Sequence, residues 1–262
     1  MASLHSNRGA KRAREARADL GFTREGPLPD LLGAIEGPGG AHVIVLALAE
    51  GVAGAYVERA GFPLLFVNGD QALARQRFTV AHEFGHHRMG HATVVDKQEA
   101  ISGVLRDPNE VCANAFAAEF LLPRQAVAAW GSEHVSGAVT LEDVCALAAS
   151  YGVSAHAARY ALAHAGVLTD EGLCAQLDGE IAENLHVELS QQLGLELITD
   201  ELAETAGRLP RIPAALRGSA LADLLAGQID ADGLAQRLQR DPADVRAMLA
   251  EFGLDQLLPT AR

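Results

Sequence analysis

The run "FTVAHEFGHH" occupies residues 78–87 and carries two histidines four positions apart, His82 and His86, with Glu83 directly after the first. On an α-helix, residues i and i+4 stand one above the other on a single face. Two imidazoles so placed can each point one nitrogen at a common zinc ion about 2.0–2.1 Å away. Glu83 then sits beside the ion rather than bonded to it. There a carboxylate can accept a proton from the attacking water and later return one to the leaving amine. This is the hydrolytic chemistry that the spacing HExxH serves. The plainer alternative makes both histidines polar residues on a helix surface.

Two ligands do not complete a catalytic zinc site, which takes three from the protein and keeps one position open. His91 follows in "HEFGHHRMGH", but Gly90 and His91 each miss the HExxHxxGxxH spacing by one residue. His87 points about a quarter turn off the ligand face. The next strong helix signal, "NEVCANAFAAEFLLP", offers Glu110 and Glu119, with Asn114 four residues after Glu110 on the same face. Glu110 also suits the N3 place of a capping box behind Asp107 and Pro108, and Glu119 suits a solvated helix charge. Spacing alone does not choose between these two carboxylates.

The two runs together, "ARQRFTVAHEFGHH" and "NEVCANAFAAEFLLP", resemble the ImmA/IrrE family of bacterial metallopeptidases. The family pattern R-x-F-T-x-A-H-E-x-G-H is met by Arg77, Phe78, Thr79, Ala81, His82, Glu83, Gly85 and His86. Its second part, E-x-x-A-N-x-F-A-A-E-x-L-x-P, is met by Glu110, Ala113, Asn114, Phe116, Ala117, Ala118, Glu119 and Pro123. The likeness extends more loosely over residues 42–168. It implies Zn2+ on His82, His86 and Glu110, with Glu83 as catalytic base. It implies an α+β, zincin-like fold in which a small antiparallel sheet packs on the HExxH helix. An edge strand, here 63–69, would pair with an extended substrate. Known members cut or inactivate helix-turn-helix repressors of the Xre type, in stress responses or mobile elements. The expected partner is therefore a protein of that kind.

The elements that must position these residues follow from local pattern. "HVIVLALAE" and "GAYVER" read as two strands around Gly51, and "PLLFVNG" as a third. Asn68 or Asp70 would cap a helix running to Gly90. Asp107, Pro108 and Glu110 open the helix that ends at Pro123. "PLPDLLGAIE" is a short helix broken by "GPGG". Residues 92–106 carry no clear pattern. The chain divides on this basis into a basic, partly helical tail at 1–26, a metallopeptidase domain at 27–168 and an acidic all-helical region at 169–262. The last has no counterpart in minimal family members, and its final part reads as three short helices.

Composition limits the partners. The chain has 262 residues and a net charge of -13, which disfavours direct nucleic-acid binding unless a basic patch is segregated. "LEDVCALAASYGVSAHAARYALAHAG" has helix-turn-helix form, but its second helix offers only Arg159 and two histidines to a phosphate backbone. Two packed helices completing the peptidase domain explain it more simply. Three isolated cysteines, Cys112, Cys145 and Cys174, form no CxxC, and no signal or membrane segment is evident, so a cytoplasmic setting with free thiols is expected. The rival reading keeps the zinc and drops proteolysis, leaving a regulator that acts by binding a repressor or DNA. For the group that stabilises the tetrahedral intermediate, Tyr151, Tyr160, His87 and Arg77 are unranked candidates.

Overall fold

"VIVL" at 43–46 and "PLLFV" at 63–67 are apolar at consecutive positions, which suits strands buried on both faces. In the computed structural model they are β1 (His42–Leu46) and β3 (Phe62–Asn68), with β2 (Val52–Arg59) between them in sequence. The structure describes residues 4–22, 26–28, 30–59, 61–92, 94–97, 107–195, 211–213, 216, 218–251 and 253–254. A fourth strand, β4 (Val94–Lys97), completes a sheet of order β1-β3-β2-β4. The β2–β3 and β2–β4 pairs are antiparallel, but β1 and β3 run parallel. The sheet is therefore mixed rather than wholly antiparallel. The strand expected at 63–69 is not an edge; it lies between β1 and β2. The edge on the β2 side is β4, in the stretch whose sequence carried no clear pattern.

Side chains alternate across the sheet as a period of two requires. Val43, Val45, Tyr56, Leu65 and Val67 face one core, while Ile44, Leu46, Ala55, Val57, Leu64 and Phe66 face another. A register shift between Val52 and Gly54 puts Val52 on the second face. The edge of β1 is closed by Arg211, whose backbone exchanges two hydrogen bonds with Val45, of 2.8 and 3.0 Å. The Arg211 guanidinium also grips the Glu36 carboxylate.

On the first face lies α3 (Leu73–Met89), the HExxH helix, reached through α2 (Leu31–Glu36) and the strands. It starts later than expected, at Leu73, with Ala72 before it and no side-chain cap. Asn68 is used otherwise: its amide donates to the Val52 carbonyl, and its Oδ1 accepts from the Asp70 amide. Against α3 packs α4 (Pro108–Leu121), which opens as expected with Asp107 accepting from the amides of Asn109 and Glu110. Gly85 lets the two helices close: a Cβ there would stand 3.0 Å from the Phe116 ring.

The basic N-terminal segment, expected as a partly helical tail, is helical and packed against the rest of the chain among the described residues. Leu4–Asp19 forms α1, laid along α4, with Gly9, Ala13 and Ala16 buried. A Cβ on Gly9 would fall 2.1 Å from the Cys112 carbonyl oxygen, so only glycine allows this approach. The cations are largely spent on internal contacts. Arg14 pairs with Glu119 at 2.9 Å, Arg12 donates to the Arg88 carbonyl, and buried Arg17 donates to the carbonyls of Phe120 and Gly26.

The remaining helices are α5 (Arg124–His134), α6 (Leu141–Tyr151), α7 (Ala155–Ala165), α8 (Glu171–Ala182) and α9 (Leu185–Gln192). The helix-turn-helix pair, α6 and α7, buries Val144, Leu147, Tyr151, Ala158 and Leu162 in the first core. Arg159 is paired with Asp178 of α8 at 2.7 Å. The three short helices expected at the end form as α10 (Ala220–Leu225), α11 (Ala231–Leu238) and α12 (Pro242–Glu251). Their Leu224, Leu225, Leu234, Val245 and Leu249 cover the second face of the sheet.

All three cysteines are free thiols. Burial pushes the thiol pKa of Cys112 and Cys145 up, while Cys174 is only partly buried. Thiolate is the reactive form. Alkylation of the native protein should therefore modify Cys174 first, with the other two about tenfold slower or more until the chain is unfolded. Peptide mass mapping against time checks this, and equal rates at all three would contradict it.

Candidate metal centre

Helix α3 delivers His82, Glu83 and His86, and α4 delivers Glu110, all of them buried. His82 Nε2 and His86 Nε2 lie 3.1 Å apart. The Glu110 oxygens lie 3.3 Å from His82 Nε2 and 3.5 Å from His86 Nε2. Ligand atoms bound tetrahedrally at about 2.0–2.1 Å stand about 3.3–3.4 Å from one another. The three observed separations straddle that edge length. These three residues form a group whose donor atoms could hold one metal ion.

Each imidazole has a partner on its far side. His82 Nδ1 lies 3.0 Å from Asn114 Oδ1, an acceptor, so Nδ1 carries the proton and Nε2 keeps its lone pair. His86 Nδ1 lies 3.0 Å from His91 Nδ1. In the tautomer that leaves Nε2 of both rings unprotonated, three acceptors converge on one buried point. Like partial charges gathered away from water are unfavourable unless a cation sits among them. The donor set, two imidazoles and a carboxylate, suits zinc with an open fourth position.

Of the two carboxylates left open by spacing, Glu110 faces the histidines and Glu119 does not. Glu119 accepts from Arg14 of α1 and from the Arg124 amide that starts α5, a structural station between three helices. Glu110 stands at N3 of α4, but its carboxylate is directed at the imidazoles.

Glu83 is 0% exposed and lies against β2. A Cβ on Gly54 would stand 2.5 Å from Glu83 Oε1, 2.5 Å from Thr79 Cγ2 and 2.8 Å from the Phe66 carbonyl oxygen. Gly54 is thus the gap in the sheet that accommodates the glutamate. One residue pair further along, Tyr56 faces His87: Tyr56 Oη lies 3.3 Å from His87 Nδ1 and also bonds the Glu58 carboxylate. Burial and then that bond push the Tyr56 pKa well above its usual value, so the phenol stays protonated. Burial lowers the pKa of His87, against the pull of Glu58.

The other candidates for stabilising an intermediate are engaged elsewhere. Arg77 donates to the Leu28 carbonyl from a fully buried position, Tyr151 belongs to the first core, and Tyr160, 64% exposed, stacks with His164 on α7. Sequence reasoning passed over Gly54, Tyr56 and the partner role of Asn114. Gly54 had a signal, since an isolated glycine inside a strand pattern marks a close approach.

Residues 40–163 match the family model of the IrrE N-terminal-like domain, peptidase family M78. The match runs from just before β1 into α7 and contains every residue of the site. No curated protein matches the chain. Among the described residues no helix is long and apolar enough to cross a membrane.

Proposed function

We propose, from the match of residues 40–163 to the IrrE N-terminal-like domain of peptidase family M78, that the protein is a zinc-dependent endopeptidase acting on a helix-turn-helix repressor. The observation that carries the proposal is the triangle of His82 Nε2, His86 Nε2 and a Glu110 carboxylate with sides of 3.1, 3.3 and 3.5 Å. In this reading His82, His86 and Glu110 hold the ion. Zinc, when bound, supplies Lewis acidity that polarises the scissile carbonyl and makes water a better nucleophile near neutral pH.

The chain does the rest. Asn114 fixes the tautomer and the plane of His82. Glu83 takes the proton of the attacking water and returns it to the leaving nitrogen. Its burial against Gly54 holds it in one place, so little is lost to reorientation. The substrate strand pairs with β4, which lies at the end of the sheet beyond β2 and has no further strand on its outer side among the described residues. The repressor substrate and a role in transcriptional or stress regulation follow from the family resemblance.

Co-expression with a helix-turn-helix repressor tests the proposal. The repressor should appear as two fragments joined end to end in sequence by mass spectrometry, and stripping the metal with a chelator should stop their formation. A repressor that stays full length while its promoter is relieved would favour the binding-only regulator.

The gap at Gly54 yields a further expectation. Gly54→Ala places a methyl group on Glu83 and on a sheet carbonyl that cannot yield cheaply. Zinc content should stay near one per chain while cleavage falls on the order of 10²-fold, the scale of a misplacement of about 1 Å. Elemental analysis beside a cleavage time course checks it, and wild-type cleavage in Gly54→Ala would refute the positioning role.

A further inference from the structure

We propose that His91 is a positioning residue for the metal centre, acting as the acceptor that fixes His86. The proposal rests on reading His82, His86 and Glu110 as a metal site. It begins with how α3 ends. Gly90 takes the left-handed conformation, φ 66° and ψ 35°, just past the last helical turn. The His91 amide then turns back and donates to the His86 carbonyl at 3.1 Å. In this style of helix ending, the residue after the glycine is folded back onto the one five positions before it. That contact is usually between apolar side chains. Here both residues are histidine.

The rings meet edge to face, with centroids 4.9 Å apart and planes at 72°. Nδ1 lies 3.0 Å from Nδ1. For His86 to offer Nε2 to a metal, its Nδ1 must carry the proton and donate it. His91 Nδ1 is then the acceptor, and its proton resides on Nε2, a buried atom with no hydrogen-bond partner among the described residues. A packing residue would have no reason to carry a polar atom into that position. Histidine ligands generally have their other nitrogen held by a carboxylate, a carbonyl or water. His82 has Asn114 in that place. His91 fills it for His86, which gives the spacing H-x-x-x-G-H a purpose that the search for a third ligand could not find. The glycine provides the turn, and the histidine after it provides the acceptor.

The test separates acceptor from bulk. Asparagine carries Oδ1 on Cγ where histidine carries Nδ1, so His91→Asn keeps an acceptor and discards the ring. His91→Phe keeps a ring and discards the acceptor. Zinc affinity of the full-length apoprotein is measured by competition with a chromophoric chelator, with circular dichroism of each apoprotein as the folding control. His91→Phe should bind zinc about 10–100-fold more weakly than wild type, and His91→Asn within about threefold of it, as expected for loss and retention of a ligand's hydrogen-bond partner. His91→Leu takes the place of phenylalanine if the larger ring does not fold. Wild-type affinity in the Phe or Leu variant, or equal weakening in Asn and Phe, overturns the proposal. A wild-type protein that binds no zinc, or zinc binding that survives His86→Ala, instead overturns the metal reading on which it stands.

Discussion

Glu83→Gln should retain about one zinc per chain and lose cleavage by about 10²–10⁴-fold, the usual worth of general acid–base help. The two effects separate because the residues that hold the ion are not the residue that moves the proton. Glutamine keeps the length and nearly the volume of glutamate, so the space against Gly54 stays filled. It cannot accept a proton from water, and it presents an amide where an anion is needed. His82, His86 and Glu110 are untouched, and Asn114 still orients His82. A repressor blot and elemental analysis on the same preparations read both quantities. The binding-only alternative makes the opposite forecast, in which promoter relief is equal in wild type and Glu83→Gln and the repressor stays intact in both. Wild-type cleavage rates in Glu83→Gln would remove Glu83 from the mechanism.

The helix bearing His82, Glu83 and His86 was legible because i,i+4 spacing needs no knowledge of the rest of the chain. The start of α4 was legible for the same reason: Asp107, Pro108 and Glu110 are a local code, and Asp107 caps the helix as read. What the sequence hid was non-local. β4 is only four residues, "VVDK", and exists because β2 pairs with it. The central place of β3 had a cue in its unbroken apolar run, which suits a strand covered on both faces. The second cover is the α10–α12 group, more than 150 residues later in the chain.

The N-terminal helix shows how composition can mislead. Arg8, Lys11, Arg12, Arg14 and Arg17 gave residues 1–26 the look of a basic tail. The informative residues were the small ones, since Gly9, Ala13, Ala16 and Leu20 form a stripe at helical spacing and are all buried. Glycine and alanine contribute little to a hydropathy signal, yet they permit the closest helix approach. Cations around such a stripe reach past it to neighbouring carbonyls and carboxylates, as Arg12, Arg14 and Arg17 do.

Glu110 and Glu119, nine residues apart on one helix, give the sharpest contrast in expected outcome. Glu110→Ala removes one of three groups gathered within 3.5 Å and leaves only the two histidines. Zinc affinity should drop by well over about 10²-fold, more than the loss of an outer partner costs, so the purified variant should carry almost no metal and no activity. The apo fold should lose little, since removing the carboxylate also removes an acceptor from a crowded cluster. Glu119→Ala should do the reverse. Its carboxylate ties Arg14 of α1 to the first amide of α5. Arg14 is 43% exposed, so the ion pair is screened by water and contributes at most about 1 kcal/mol, with the hydrogen bond from the Arg124 amide adding about 1 more. Together these amount to about 1–2 kcal/mol, a fall of a few degrees in Tm for a chain of this size. Zinc content should remain near one per chain. Elemental analysis and thermal melting of the two variants decide the matter: metal lost from Glu119→Ala and kept by Glu110→Ala would reverse the assignment of the third ligand.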